Sequence, residues 1–324
     1  MLPPVSPIKV AALLGPTAVG KSRVAVEIAR SLGAEIVSVD SMQVYRGMDI
    51  GTAKPDRALR RSVPHHLLDL LEPEQNFSVA QYQAVARRAV GEIASRDQVP
   101  LLVGGTGLYF EAVVFDLRFP PASVDDVLRR RLEEEALADP EGLRRRLSEV
   151  DPAFAAGEGY ANLRRVIRAM EVYERTGIPI TAYQAKRGAQ RAYYRYAGAV
   201  LDAPRQALYR SIDRRVDGMF EAGLVEEVRR LASAGGLSRT ARQALGYKEV
   251  LEHLDRGIPL EETIFNVKRR SRNYAKRQLT WFRRVPGLRW FMLRETDLAG
   301  DATRIADEIS EYLRAELSGI DAVT

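Results

Sequence analysis

Short apolar runs recur along the chain, and each ends in glycine or in a polar residue. Each run has the length of a buried strand. The runs are Ile8 to Leu14, Glu35 to Asp40, the stretch that starts at Val99, Tyr196 to Leu201, and Arg289 to Leu293. The pattern therefore predicts a series of buried strands, with the first strand at the very start of the chain.

Apolar residues between these strands recur at helical spacing. In "SRVAVEIARSLG", Val24, Ile28 and Leu32 lie four residues apart, and Gly33 is a favourable helix stop. A second helix is predicted from about Ser78, and its apolar face comprises Val79, Tyr82, Val85, Ala89 and Ile93. Strands that alternate with helices favour an α/β fold in which helices flank a parallel sheet.

The pattern changes at about residue 119, where strand signals stop and charged helical segments begin. Residues 119–195 are predicted to form a helical insertion domain. Residues 1–118 would then be the first part of the α/β core. Residues 196–324 would be its second part, which ends in basic helices.

Composition narrows the class of protein. The 324 residues are 46% hydrophobic and 28% charged, which is typical of a globular chain with a large core. The sequence contains no cysteine, which excludes disulfides, cysteine-ligated zinc and iron–sulfur clusters. No apolar run approaches membrane-spanning length, and the apolar N-terminal run leads into a motif instead of a cleavage site. We therefore expect a cytoplasmic protein.

The stretch "GPTAVGKS" is a complete P-loop motif between a predicted strand and a predicted helix. Its members are Gly15, Pro16, Thr17, Ala18, Val19, Gly20, Lys21 and Ser22. The glycines let backbone amides converge on phosphate oxygens, and the helix N-terminus and Lys21 add positive charge. The Ser22 hydroxyl is suited to holding Mg²⁺. The motif indicates a P-loop NTPase-like fold and a phosphorylated ligand, without specifying which ligand.

Asp40 and Thr106 each follow an apolar strand. Open parallel sheets bind ligands at the carboxyl edge of their strands, so both residues should lie beside the P-loop. From the pattern alone, Asp40 could be a catalytic carboxylate, a helix cap or a Mg²⁺ ligand, and Thr106 could be a turn residue among glycines.

Basic residues dominate the end of the chain and favour a large anionic partner. Net charge is +6, with a sequence pI near 9.5. Asn266 to Trp290 contains nine lysines or arginines and no acidic residue. Val267, Tyr274 and Trp281, at sevenfold spacing, are expected to face the protein body, while the basic residues, Lys276 and Arg277 among them, meet a polyanion.

Six motifs in order resemble those of the tRNA dimethylallyltransferases, also called tRNA isopentenylpyrophosphate transferases, in their bacterial form. They are "GPTAVGKS", "SVDSMQVYRGMDIGTAKP", "PHHLLD", "LLVGGTGLYF", "RQALGYKE" and "AKRQLTWFRR". The resemblance extends from the P-loop to about Arg284, and the second motif is highly specific.

The resemblance implies that the P-loop holds the pyrophosphate of dimethylallyl diphosphate, with Mg²⁺ as cofactor. The dimethylallyl group would move to N6 of the adenine next to the tRNA anticodon. Asp40 corresponds to the family's catalytic base, which accepts the proton of a poorly nucleophilic amine. Thr106 corresponds to a threonine near the leaving oxygen, and Arg215 to an arginine that clamps pyrophosphate, with Arg214 as the alternative register.

The resemblance also implies a set of tRNA contacts. They are Asp40, Ser41, Met42, Gln43, Thr106, Arg129, Arg164, Arg165, Arg168, Gln243, Gly246, Tyr247 and Lys248. We expect the target adenine to flip out of its stack to reach the site. The expected partners are tRNA, through its anticodon stem-loop, and dimethylallyl diphosphate, without a membrane, and we expect a monomer.

Three other functions remain open on the residues. An adenylate dimethylallyltransferase would use the same P-loop and Asp40 on free AMP or ATP. A P-loop small-molecule kinase would use Asp40 to deprotonate a hydroxyl, and a P-loop NTPase could bind RNA without modifying it. The basic C-terminal stretch favours the tRNA enzyme over the first of these.

Overall fold

A computed structural model describes residues 6–120, 126–185, 191–294 and 302–319. The chain folds into two compact units. The larger unit consists of Met1–Phe77, Tyr82–Val114 and Tyr193–Thr324, and the smaller unit of Ser78–Gln81 and Phe115–Ala192.

The larger unit contains a six-stranded sheet with the order β3-β2-β4-β1-β5-β6, in which every pair of neighbours is parallel. The strands are β1 (Ser6–Leu14), β2 (Ala34–Val39), β3 (His65–His66), β4 (Val99–Gly104), β5 (Tyr194–Asp202) and β6 (Leu288–Met292). The predicted parallel sheet is confirmed, and β3 is an edge strand that the apolar pattern did not predict.

Fourteen α-helices lie in the described part of the chain. The first four are α1 (Lys21–Leu32), α2 (Arg57–Ser62), α3 (Val79–Ala94) and α4 (Gly107–Val114). The smaller unit contains α5 (Asp126–Ala138), α6 (Pro140–Val150), α7 (Pro152–Ala155), α8 (Leu163–Thr176) and α9 (Ile180–Ala185). The larger unit continues with α10 (Arg205–Glu221), α11 (Leu224–Ser233), α12 (Tyr247–Arg256), α13 (Leu260–Phe282) and α14 (Ala302–Gly319).

Helices cover both faces of the sheet. Ala11 and Leu13 of β1 share one buried cluster with apolar residues of α1 and α14. The alternate residues of β1 point to the opposite face. There the buried Tyr82 of α3 donates its hydroxyl to the Ser38 carbonyl of β2 (2.9 Å) and stacks on Tyr109 of α4. A sheet buried on both faces accounts for the continuous apolar runs of its strands.

Both helices predicted in the core are present at the expected positions. In α1, Val24 and Ile28 are buried, and Gly33 ends the helix with a left-handed φ of 60°. In α3, Tyr82, Ala89 and Ile93 are buried as predicted. Val79 and Val85 are only partly buried, because Ala86 and Val90 take the inner positions instead.

The smaller unit has its own apolar core. Leu132 and Ala136 of α5, Leu143 and Leu147 of α6, and Val166 of α8 pack in one cluster. The amphipathic pattern of α8 explains this arrangement, because its buried residues recur three to four positions apart and arginines occupy its other face.

The parallel register brings three loops together. Gly104 at the end of β4 lies opposite Leu14 of β1 and opposite Val39 of β2. The loops that begin at Gly15, Asp40 and Gly105 therefore leave the sheet side by side at its carboxyl edge. This edge contains the candidate site.

Candidate active site

The P-loop connects β1 to α1 through residues 15–20. Gly15 has a φ of 153°, and a Cβ atom there would lie 2.6 Å from the Leu201 carbonyl oxygen of the neighbouring strand. Only glycine fits this position, since the loop must pass directly over β5. At the crest of the loop, the Ser211 hydroxyl of α10 donates to the Ala18 carbonyl (2.8 Å). The predicted strand–loop–helix context of the motif is confirmed.

The Lys21 ammonium lies inside the loop and donates to the Pro16 carbonyl (2.6 Å). Burial and, to a lesser extent, the nearby Arg215 lower the pKa of Lys21 to about 7, while Asp40 acts in the opposite direction. Burial also lowers the pKa of Arg215, again against the effect of Asp40. Two crowded cations and one carboxylate make a site that favours a multiply charged anion.

Asp40 follows directly after β2 and begins a tight turn. Its Oδ1 accepts the amides of Met42 (2.8 Å) and Gln43 (3.2 Å). The next helix along the chain, α2, is capped by Asp56, so the helix-cap interpretation of Asp40 is wrong. Among the described residues, Asp40 Oδ2 has no hydrogen-bond partner, which leaves this oxygen for a substrate.

Thr106 lies beside Asp40, as predicted for two residues that follow parallel strands. Its Oγ1 accepts the amide of Ser41 (3.3 Å), which joins the turn after β2 to the glycine turn after β4. The Tyr274 hydroxyl of α13 lies close to Thr106 and to Gln278. Burial, together with the charge of Asp40, raises the pKa of Tyr274 to about 12, so this phenol stays neutral.

Arg215 of α10 faces the P-loop and lines the site, whereas Arg214 is exposed. The register that assigns the phosphate-clamping position to Arg215 therefore agrees with the fold better than the alternative with Arg214. Ser211 and Arg215, one turn apart on α10, face the loop together.

Two cavities meet at Asp40. One, of about 530 Å³, lies along the P-loop and is lined by Gly20, Lys21, Ser22, Gln43 and Gln278. The other, of about 440 Å³, is lined by Ser41, Met42, Gln243, Lys248 and Arg277. Both cavities are bordered by Thr17, Ala18, Asp40, Thr52, Arg215 and Tyr274. The carboxylate thus stands between a phosphate loop and a second pocket.

The residues predicted to contact tRNA around the start of α12 do not all line the second cavity. Gln243 and Lys248 line the second cavity, and Gly246 is the N-cap of α12. Tyr247 is fully buried, and its hydroxyl is hydrogen-bonded to the buried Glu227. The carboxylate of Glu227 also accepts the amides of residues 49–51. Tyr247 therefore supports the wall of this cavity from behind.

Some basic side chains of α13 are paired with carboxylates of α10, and others are exposed. Lys268 is paired with Asp217 (2.6 Å) and Arg272 with Asp213, both on α10. Lys276 and Arg277 are exposed, and Arg277 lines the second cavity. Of the residues expected to face the protein body, Val267 is buried, whereas Trp281 remains 39% exposed.

Predicted residues of the smaller unit fall into two groups. Arg129 is mostly buried, with a side chain 13% exposed, and it is paired with Glu171 (2.9 Å) and Glu133 (3.0 Å). Arg168 is also paired with Glu171 (2.9 Å). Arg164 and Arg165 are exposed. The burial and ion pairs of Arg129 indicate that it stabilises the smaller unit, whereas Arg164 and Arg165 are accessible to solvent.

Three residues that hold the site together were not predicted as site residues, although Tyr274 was predicted to face the protein body. Gln278 and Tyr274 of α13 and Ser211 of α10 all contact the loops of the sheet edge. One signal was present, because Gln278 lies four residues after Tyr274 and is a polar residue on the apolar face of a basic helix.

Within residues 6–120, 126–185, 191–294 and 302–319, no group of three or more His, Cys, Asp or Glu side chains could hold a metal ion. Ser22, exposed in the first turn of α1, lines the P-loop cavity and could supply one oxygen ligand. No helix in the described part of the chain is long and apolar enough to cross a membrane.

Two family models match the chain. The model described as IPP transferase matches residues 43–285, and the model described as isopentenyl transferase matches residues 8–69. The chain is 46% identical over 310 residues to the tRNA dimethylallyltransferase of Geobacillus kaustophilus, which covers 95% of this chain and 97% of that protein. It is 48% identical over 309 residues to the Moorella thermoacetica tRNA dimethylallyltransferase, covering 94% and 95% of the two chains.

Solved structures give the same result. The tRNA isopentenylpyrophosphate transferase of Bacillus halodurans superposes with a TM-score of 0.71 at 41% identity and covers 97% of this chain and 98% of that chain. A eukaryotic dimethylallyltransferase acting on tRNA superposes with a TM-score of 0.76 at 27% identity, over 93% and 77% of the two chains. With the P-loop, the Asp40 turn and these matches together, the chain belongs to the IPP transferase family.

Proposed function

We propose that this chain transfers a dimethylallyl group from dimethylallyl diphosphate to N6 of the adenine adjacent to the tRNA anticodon, which gives N6-isopentenyladenosine and diphosphate. The observation that carries the proposal is the position of Asp40 between two cavities, one along the P-loop and one lined by Gln243, Lys248 and Arg277. A transferase with an anionic donor and a large acceptor needs this arrangement.

The P-loop cavity is the proposed donor site. The backbone amides of the loop and the N-terminus of α1 would bind the diphosphate, with Lys21 and Arg215 as charged partners. As the allylic C–O bond breaks, negative charge grows on the leaving diphosphate. Donors fixed around that oxygen stabilise it in the transition state. Thr106, beside Asp40, would lie close to the same oxygen.

Magnesium is the proposed cofactor. Mg²⁺ prefers oxygen ligands and keeps several waters, so Ser22 and the diphosphate suit it without a carboxylate cluster. When bound, the ion would neutralise part of the charge on the leaving diphosphate.

Asp40 is the proposed general base. Two backbone amides hold its Oδ1 in place, so Oδ2 is available to accept the proton that N6 loses as the new C–N bond forms. The electron pair of the broken C–O bond leaves with diphosphate. The conjugated amine is a weak nucleophile, so a fixed base at this point has a direct effect on rate.

The second cavity is the proposed nucleobase site. Its walls combine apolar side chains such as Met42, Val216 and Leu245 with polar groups at Ser41 and Gln243. A flipped base is held by this combination of stacking surface and hydrogen-bonding groups. The ribose-phosphate chain would then follow the basic residues Lys248, Lys276 and Arg277.

Arg164 and Arg165 of the smaller unit are proposed to add further phosphate contacts, as the insertion domain's part in tRNA binding. For Arg129 and Arg168, we propose an indirect role, through the ion pairs with Glu171 that order α5 and α8. We also propose that the enzyme acts as a monomer in the cytoplasm, where its proposed tRNA substrate is found.

The test is a comparison of acceptors with labelled dimethylallyl diphosphate. Purified protein is incubated separately with bulk tRNA, an anticodon stem-loop, AMP and ATP, and label transfer is measured. Label in the two RNAs alone supports the proposal. Label in AMP or ATP would indicate an adenylate dimethylallyltransferase. Phosphoryl transfer from ATP to any acceptor would indicate a kinase and overturn the proposal.

A further inference from the structure

Gln278 joins the P-loop to the glycine turn after β4. Its carboxamide oxygen accepts the Thr17 amide (2.9 Å), and its nitrogen donates to the Gly105 carbonyl (2.9 Å). Gln278 is 5% exposed, its bond to Gly105 is buried, and its bond to Thr17 is partly buried. One carboxamide thus connects the loops that follow β1 and β4.

Gly105 shows independently that the contact is built into the fold. A Cβ atom at this position would lie 2.1 Å from Gln278 Nε2. The backbone of Gly105 is outside the left-handed region, so its conformation does not demand glycine. A side chain at this position would therefore have to displace the carboxamide of Gln278.

The connection reaches the proposed base in two further steps. Tyr274, one turn earlier on α13, lies close to both Gln278 and Thr106, and Gly105 is next to Thr106 in the chain. Thr106 accepts the Ser41 amide next to Asp40. The chain of contacts therefore runs from the diphosphate loop to the turn that carries the carboxylate.

We infer that Gln278 is a positioning residue for the transfer, which sets the P-loop at a fixed distance from Thr106 and Asp40. This inference rests on the proposed function. Displacement at the allylic carbon needs the leaving oxygen on one side and the amine with its base on the other. A shift of about 1 Å in such an arrangement can cost roughly 100-fold in rate.

A positioning role predicts a specific kinetic pattern. Gln278→Met keeps the volume but loses both hydrogen bonds. We expect kcat to fall roughly 10- to 100-fold, while the KM for tRNA stays at the wild-type value because Gln278 is buried. Thr280→Ala is the matched control, since its hydroxyl donates to the Lys276 carbonyl within the same helix. It should keep wild-type kcat.

Gly105→Ala is the second variant, because its new methyl group must displace the carboxamide from the other side. It should give the same fall in kcat with an unchanged KM for tRNA. Arg277→Ala, on the exposed side of α13, should give the opposite pattern, with a raised KM for tRNA.

Gln278→Glu distinguishes the loss of hydrogen bonds from the loss of side-chain volume, because glutamate and glutamine have nearly the same size. The introduced carboxyl, when protonated, can both accept from Thr17 and donate to Gly105, whereas the carboxylate loses the donor. The ratio of variant to wild-type kcat should therefore rise as pH falls. Lys21, Asp40, Arg215 and Tyr274 line the same site and are present in both enzymes, so the ratio isolates the new group.

Wild-type kcat in Gln278→Met and Gly105→Ala would overturn the inference, and so would a pH-independent ratio for Gln278→Glu. A lower unfolding temperature with kcat unchanged well below it would mean that Gln278 only stabilises the fold. If Gln278→Met does not fold, the other two variants decide. If the wild-type protein transfers no label to tRNA, the proposed function fails instead.

Discussion

The pKa of Lys21 predicts how the binding of dimethylallyl diphosphate changes with pH. Burial and Arg215 lower this pKa to about 7 in the free protein. The diphosphate requires the charged ammonium, so binding must include uptake of a proton wherever Lys21 is neutral. Affinity should therefore be highest below pH 7 and should fall as pH rises through 7.

The size of the effect follows from the pKa. With a pKa of about 7, the protonated fraction of Lys21 falls from about nine tenths at pH 6 to about one tenth at pH 8. The affinity for dimethylallyl diphosphate should then fall about tenfold between these two pH values, which corresponds to about 1.4 kcal/mol. At pH 7, binding should take up about half a proton.

Titration calorimetry at pH 6, 7 and 8 measures the affinity for dimethylallyl diphosphate. Repeating each titration in buffers of different ionisation enthalpy gives the number of protons taken up on binding. Lys21→Arg is the matched control, because its guanidinium stays protonated throughout. Ionisation of the ligand affects both proteins equally, so the ratio of their affinities reports Lys21. Parallel pH profiles for the two proteins would refute the assignment of this pKa to the binding step.

Three other variants test separate parts of the site. Asp40→Asn should lower single-turnover transfer by roughly 10²- to 10⁴-fold, with the affinity for dimethylallyl diphosphate close to that of the wild type; recovery in excess Mg²⁺ would identify a metal ligand instead. Lys276→Glu or Arg277→Glu should weaken tRNA binding and reduce its salt dependence, measured by filter binding across salt concentrations. Lys268→Ala should change tRNA binding much less, because Lys268 is already paired with Asp217. Arg129→Ala should destabilise the smaller unit by roughly 1.5–3 kcal/mol in thermal unfolding, whereas the exposed Arg145→Ala should change it little; equal shifts would contradict the buried role.

The parts of the fold that follow from the sequence are those with strong local signals. The runs that became β1, β2 and β4 are apolar because both faces of the sheet are covered, and each predicted strand overlaps the observed one. The places of Gly15, Asp40 and Thr106 follow from the same signals, since parallel strands end at one edge. Knowing where the strands end was enough to place these residues together.

The remaining contacts depend on distant parts of the chain. The two-residue strand β3 is too short for a periodic signal. The pairing of Lys268 and Arg272 with α10 depends on how α10 and α13 pack, which no local pattern encodes. Gln278 contacts Thr17, which lies 261 positions away in sequence. Such contacts decide which basic residues remain free and what holds the P-loop.

The most direct test of the central claim uses two anticodon stem-loops that differ by one atom group. One has adenosine next to the anticodon, and the other has purine riboside, which lacks the N6 amine. Both should bind the protein with equal affinity, and only the adenosine form should take label from dimethylallyl diphosphate. Equal label in both stem-loops would contradict N6 transfer at this position.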